Sequence, residues 1–158
     1  MKTLKLNIIL AVAAMVSAIR GLRLAANNYD AAVEVHDDTV RRTNDVAITA
    51  RHLLWTQGST DNGIALCSAT TLPLGTVDNT ETATGMSQTV KLLGKGPTKK
   101  MVAGAAITAG ARVYTGSGGN VQPTFGGTFF QVGIALTAAA ADNDIIEVAD
   151  CAAVKTNS

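Results

Sequence analysis

The chain has 158 residues, of which 47% are hydrophobic, 4% aromatic and 16% charged, with a formal net charge of +1. That length allows one sizeable core plus an arm, and the near-neutral charge leaves no electrostatic footprint of the kind that holds nucleic acid, so no nucleic-acid partner is expected. With so few aromatics, the apolar content is mostly Ala, Val, Leu and Ile, which suits tight sheet packing and close subunit contacts.

Residues 1–26 differ in kind from the rest. Lys2 and Lys5 precede an apolar run from Ile8 to Val16, and Val16-Ser17-Ala18 completes the pattern of a secretory signal with its cleavage site. The same residues also make a retained arm, extended or helical. In that reading Lys2, Lys5, Arg20 and Arg23 flank a proline-free Ala/Leu/Ile segment whose apolar run is too short to span a bilayer. The retained arm is the expected form, with no membrane partner. From Asn27 to Asn44 the sequence NNYDAAVEVHDDTVRRTN is polar and mixed in charge. It reads as a linker, with one alternating patch (Ala32, Val33, Val35) able to add an edge strand. Arm and linker thus occupy 1–45, and a β-rich domain 46–158.

Within the domain, period-two runs are broken at short intervals by Gly, Asn, Asp and Pro, the pattern of an all-β unit with many turns. The tetrapeptide Ala47-Ile-Thr-Ala50 returns 59 residues later as Ala106-Ile-Thr-Ala109. Each copy continues with an apolar pair and an aromatic (Leu53, Leu54, Trp55; Val113, Tyr114), then a turn rich in Gly, Ser, Asn and Asp (Gly58 to Gly63; Gly116 to Asn120). A short apolar-Gly-apolar strand follows (Leu74, Gly75, Val77; Val132, Gly133, Ile134), and a closing strand ends each copy (Val90 to Leu93; Ile145 to Val148). The offset drifts from 59 to about 56 residues, as loop insertions in a degenerate duplication produce. The pseudo-repeats are therefore 47–94 and 106–150. Halves of that size are too small to be comfortable alone, so they should share a core, with Ile48 and Ile107 in equivalent buried positions. Between them GKGPTKK, from Gly94 to Lys100, reads as a solvated basic loop.

No stretch assembles an active site, and no metal or cofactor is expected. GKGPTKK lacks the order of a phosphate loop, and GSGG at Gly116 to Gly119 is a hairpin tip. His36 and His52 have no second ligand at strand or helix spacing and read as a surface and a partly packed histidine. Asp37-Asp38 and Asp142-Asn143-Asp144 lack the closing Glu of a calcium loop and read as turn formers. Cys67 and Cys151 match no zinc or redox spacing, and free thiols are the expected state rather than a disulfide.

From Thr39 to Val154 the chain resembles the capsid cement, or head decoration, proteins of tailed bacteriophages. The specific stretches are MVAGAAITAGARVYTGSGGNVQ and GTFFQVGIALTAAAADNDIIEV, with TVRRTNDVAITARHLLWTQGSTDN before them. Family members usually begin near that last segment, without a hydrophobic leader. The resemblance implies a compact β-clip or β-tulip-like domain that sits on the outer surface of a phage capsid and stabilises the shell. It further implies a homo-oligomer, most simply a trimer, with the major capsid protein as partner, located in the virion after assembly in the host cytoplasm. Lys2, Lys5, Arg20 and Arg23 are then the candidate capsid contacts. The rival reading is a secreted or periplasmic β protein with a cleaved signal peptide and a Cys67–Cys151 bridge.

Overall fold

A computed structural model describes residues 38–79 and 82–156, all within one compact unit spanning Val35–Ser158. The candidate contacts Lys2, Lys5, Arg20 and Arg23 and the patch Ala32, Val33 and Val35 lie outside the described residues. The described chain is nearly all β, as the turn-rich period-two pattern requires. Ten strands follow one another: β1 Thr39–Asn44, β2 Leu54–Gln57, β3 Gly63–Leu66, β4 Pro73–Val77, β5 Ser87–Leu92, β6 Lys99–Val102, β7 Arg112–Thr115, β8 Val121–Gln122, β9 Phe130–Ala135 and β10 Ile145–Lys155.

The first five strands form a closed barrel in the order β1-β3-β2-β4-β5, and the last five a sheet in the order β6-β10-β9-β7-β8. The pairings correspond one for one. The antiparallel ladders β1–β5, β2–β3, β2–β4 and β4–β5 return as β6–β10, β7–β8, β7–β9 and β9–β10. The parallel pair β1–β3 returns as a single parallel bridge, Ala103 to Val121, which draws the second sheet into a barrel beside the first. Ile48 bridges Thr82 and Ile107 bridges Ala139, and both isoleucines are buried. The duplication is thus a repeated strand topology, with AITA at the same place in each copy.

Register corrects two details of the sequence reading. Gly75 pairs with Trp55 and Gly133 with Val113, an offset of 58 residues. The same offset holds for the partners Val77–Val90 and Ala135–Val148, so Val90 corresponds to Val148 and not to Ile145. The second correction is that the stretch read as linker contains β1. Its Arg-Arg pair hides the strand in a hydropathy pattern. What fixes it is backbone pairing on both sides, to β5 along Thr39–Thr43 and to β3 at Thr43–Asn44. Each repeat therefore begins one strand before its AITA.

The glycine in each apolar-Gly-apolar motif has a physical reason. A Cβ on Gly75 would lie 2.0 Å from the Lys91 carbonyl oxygen, and one on Gly133 would lie 2.5 Å from that of Ala149. Both glycines flank a register shift, where Leu74 and Val132 are the extra residues. Such a bulge bends the strand and lets a five-stranded sheet curl.

The first barrel encloses Ile48, Trp55, Ile64, Val77 and Val90. Their counterparts Ile107, Val113, Val121, Ala135 and Val148 lie in a larger cluster with Met101, Ala103, Val132 and Ile146, joined by Leu54, Cys67 and Leu93 from the first repeat. The two halves are thus welded by apolar side chains of the first that complete the core of the second. Burial of each large apolar side chain contributes about 1.5–3 kcal/mol.

Candidate functional site

The two barrels leave a cleft of about 340 Å³ between them, lined by His52, Thr76, Asp78 and Lys91 from the first and by Thr98, Lys99, Lys100 and Glu147 from the second. Its first wall is built by β4 and β5. Thr76 and Lys91 face each other across that ladder, and Asp78 follows one residue after β4 ends. Lys91 donates from Nζ to Asp78 Oδ2, and His52 Nδ1 lies 3.0 Å from Asp78 Oδ1. Partial burial raises the Asp78 carboxyl, but the Lys91 hydrogen bond and the Lys91 and His52 charges outweigh it and hold the group below its ordinary value.

The second wall is the start of β6 with its partner β10. Thr98 donates to Glu147, and Lys99 forms a buried ion pair with Asp150 at 3.3 Å while donating to the Lys95 carbonyl. The Gly94 amide donates to the same Asp150 carboxylate at 2.6 Å. Lys99 is therefore not part of a solvated basic loop. Its ammonium needs Asp150 because an isolated buried charge is strongly unfavourable. Lys95 and Lys100 do remain exposed.

Chemically, the cleft joins Asp78 to both Lys91 and His52 and Lys99 to Asp150, and leaves Lys100 exposed. His52 is engaged by Asp78, and among the described residues no hydroxyl or thiol hydrogen-bonds to the imidazole; the buried Thr76 hydroxyl has no partner. A nucleophile joined to a positioned base is the geometry that acyl or glycosyl transfer requires. Sequence reasoning placed His52 as partly packed but missed its partners, since Asp78 and Lys91 lie 26 and 39 residues further on with no motif between them.

Of the other candidates, His36 and Asp37 lie outside the described residues, and the rest resolve as turns or as thiols. GSGG forms a 3-10 turn at Ser117–Gly119 joining β7 and β8, with Gly118 and Gly119 at φ of 68° and 79°. Asp144 accepts the amides of Ala140 and Ala141, the turn role expected of that acidic stretch. Cys67 and Cys151 are both free, and burial raises each thiol above its ordinary value.

With this duplicated β architecture in place, comparison with known sequences is decisive: the pattern of the phage cement protein family matches residues 33–149. The chain belongs to the phage cement protein family. It is a phage structural protein. The fold of the head fiber gp8.5 N base of bacteriophage phi29 is similar, with a TM-score of 0.54 and 20% identity over 76% of this chain and 96% of that one. At that identity the likeness concerns the fold alone. Among curated proteins none matches the chain significantly. The family pattern begins at residue 33 and so takes in β1. For a cement protein the working parts are surfaces.

Proposed function

We propose that this protein binds the outer surface of an assembled phage capsid as a trimer and reinforces the shell, with the major capsid protein as its partner and without catalysis. The observation that carries this reading is membership of the cement family across both barrels, residues 33–149. A ligand that binds only the assembled shell stabilises it by RT ln(1 + [L]/Kd), about 2.7 kcal/mol per site at a hundredfold excess over Kd. A closed oligomer multiplies weak contacts by avidity. The arm contributes through Lys2, Lys5, Arg20 and Arg23 as salt-sensitive contacts to an acidic shell surface.

Electron cryo-microscopy of virions from the source phage tests the reading directly. Density for the two-barrel unit at regular positions on the outer shell is the expected result, and its absence from purified particles sinks the proposal. Co-sedimentation with undecorated shells, comparing the full chain with a chain lacking residues 2–26, separates the arm from the barrels. Unchanged binding on deletion removes the arm from the mechanism.

A further inference from the structure

We propose that the outer face of β9 and β10 in the second barrel is where a neighbouring copy of this chain docks, an assignment that rests on the trimeric reading above. Ile134 on β9, Leu136 just after β9 and Ile145 on β10 are 43%, 47% and 55% exposed, while Ala135, Ile146 and Val148, which alternate with them, fill the core. Ile134 and Leu136 are two residues apart on one face, and since Ile134 lies opposite Ala149 and Leu136 beside Glu147, Ile145 sits diagonally next to Leu136 at the end of the same patch. Ile134 sits opposite Ala149 on β10 and Arg112 on β7, while the Leu136 amide donates to the Glu147 carbonyl at 2.7 Å.

The duplication identifies the occupant. The row Arg112–Ile134–Ala149 corresponds to the row Leu54–Thr76–Lys91 in the first barrel, by the same pairings of the second strand with the fourth and of the fourth with the fifth. In the first barrel the Leu54 and Thr76 positions of that row are covered, while Lys91 is exposed in the cleft. Leu54 and Thr76 are 0% and 1% exposed, and Leu54 is part of the second barrel's core cluster. The molecule thus already packs its second barrel against the Leu54 end of this row. The second barrel presents the equivalent row to solvent, with isoleucine where the first has threonine. The patch also continues from the cleft between the barrels, since Glu147 lines that cleft and lies beside Leu136. Finally, Arg112 and Glu147 give the face both signs of charge. Copies arranged about a symmetry axis can then set Arg112 of one toward Glu147 of the next, which favours self-association over a partner of uniform charge.

The test is the mass of the full chain in solution, by light scattering over a dilution series, for the unaltered protein and for Ile134→Asp, Leu136→Asp and the control Leu72→Asp, whose leucine is 58% exposed just before β4. The unaltered protein and the control are expected to form the same trimer, and each patch variant to dissociate at about tenfold higher concentration or more, with circular dichroism unchanged. Leu136→Ser, which adds no charge, decides the matter if an aspartate variant does not fold. A trimer that withstands the patch substitutions overturns this inference and leaves the capsid reading intact. A monomer that still co-sediments with shells overturns both this inference and the trimer. A monomer whose patch variants lose shell binding assigns the face to the capsid instead, which also overturns the inference.

Discussion

The two barrels share one topology but not one interior. Arg42, Asn44 and Gln88 stand in the first barrel where Met101, Ala103 and Ile146 stand in the second, as the pairings Arg42–Gln88 with Met101–Ile146 and Asn44–Ile64 with Ala103–Val121 establish. Trp55 in the first occupies the place of Val113 in the second, while Met101 and Ile146 belong to the core of the second. The polar set is partly satisfied. Asn44 donates to the Val46 and Ala83 carbonyls and accepts from the Met86 amide, which pins the turn before β5 to the end of β1. Yet all four buried side-chain polar atoms without a partner among the described residues, on Arg42, Trp55, Thr76 and Gln88, lie in the first barrel. Hydrocarbon fills the second interior, while the first combines an apolar cluster with side-chain hydrogen bonds, and a buried unpaired donor costs about 1–3 kcal/mol.

The largest expected break in this comparison is Trp55→Ala, which should cost about 3–5 kcal/mol in urea unfolding, because no neighbour in the first barrel can refill the space. Val113→Ala at the equivalent position should cost less than half as much. Equal losses would mean that the two interiors are not packed differently.

Exchanging the polar and apolar interior residues gives the next effect. Ile146→Gln should destabilise by about 2–4 kcal/mol through lost packing and an unpaired amide, whereas Gln88→Ile should stabilise by about 1 kcal/mol despite removing the bond from Asn79. A destabilised Gln88→Ile protein would show that the first barrel depends on its polar set.

The positive-φ turns sharpen the comparison at smaller scale. Among the described residues His52 (φ 62°) and Asn143 (φ 68°) are the two non-glycine residues in the left-handed region, and each has a glycine as its counterpart. His52 and Gly110 donate to the equivalent carbonyls of Val77 and Ala135, and Gly85 and Asn143 to those of Asn44 and Ala103. Gly110→Val should therefore cost about 1–2 kcal/mol, and Asn143→Gly less than about 0.5 kcal/mol in either direction. Equal responses to the two substitutions would contradict the matched backbone.

The smallest effects are on pH dependence, and they separate the acid limb from the alkaline one. Asp78 is held below its ordinary value, so its contribution is present above about pH 3.9 and lost as pH falls through the lowered value; Asp78→Asn should flatten that limb. Cys67 is raised, so its contribution is full below about pH 8.5 and lost as pH rises through the raised value, and Cys67→Ala should flatten the alkaline limb. Thermal melts from pH 2.5 to 10 check both, and limbs unchanged by substitution would refute the assignments.

The sequence by itself determined the class of fold, the duplication, the buried equivalence of Ile48 and Ile107, and the turns at Ser117–Gly119 and Asp142–Asp144. All of these rest on period-two alternation and on glycine and Asx chemistry acting over a few residues. Only the tertiary structure decided that Thr39–Asn44 is a barrel strand, that Val90 and not Leu93 opens the match to Val148, and that Lys99 is buried against Asp150. It alone brought His52, Asp78 and Lys91 into one cleft, and it alone left Ile134 exposed where Thr76 is covered. Each of these depends on pairing or packing between residues tens of positions apart, and side-chain pattern along a strand carries no record of which distant backbone lies beside it.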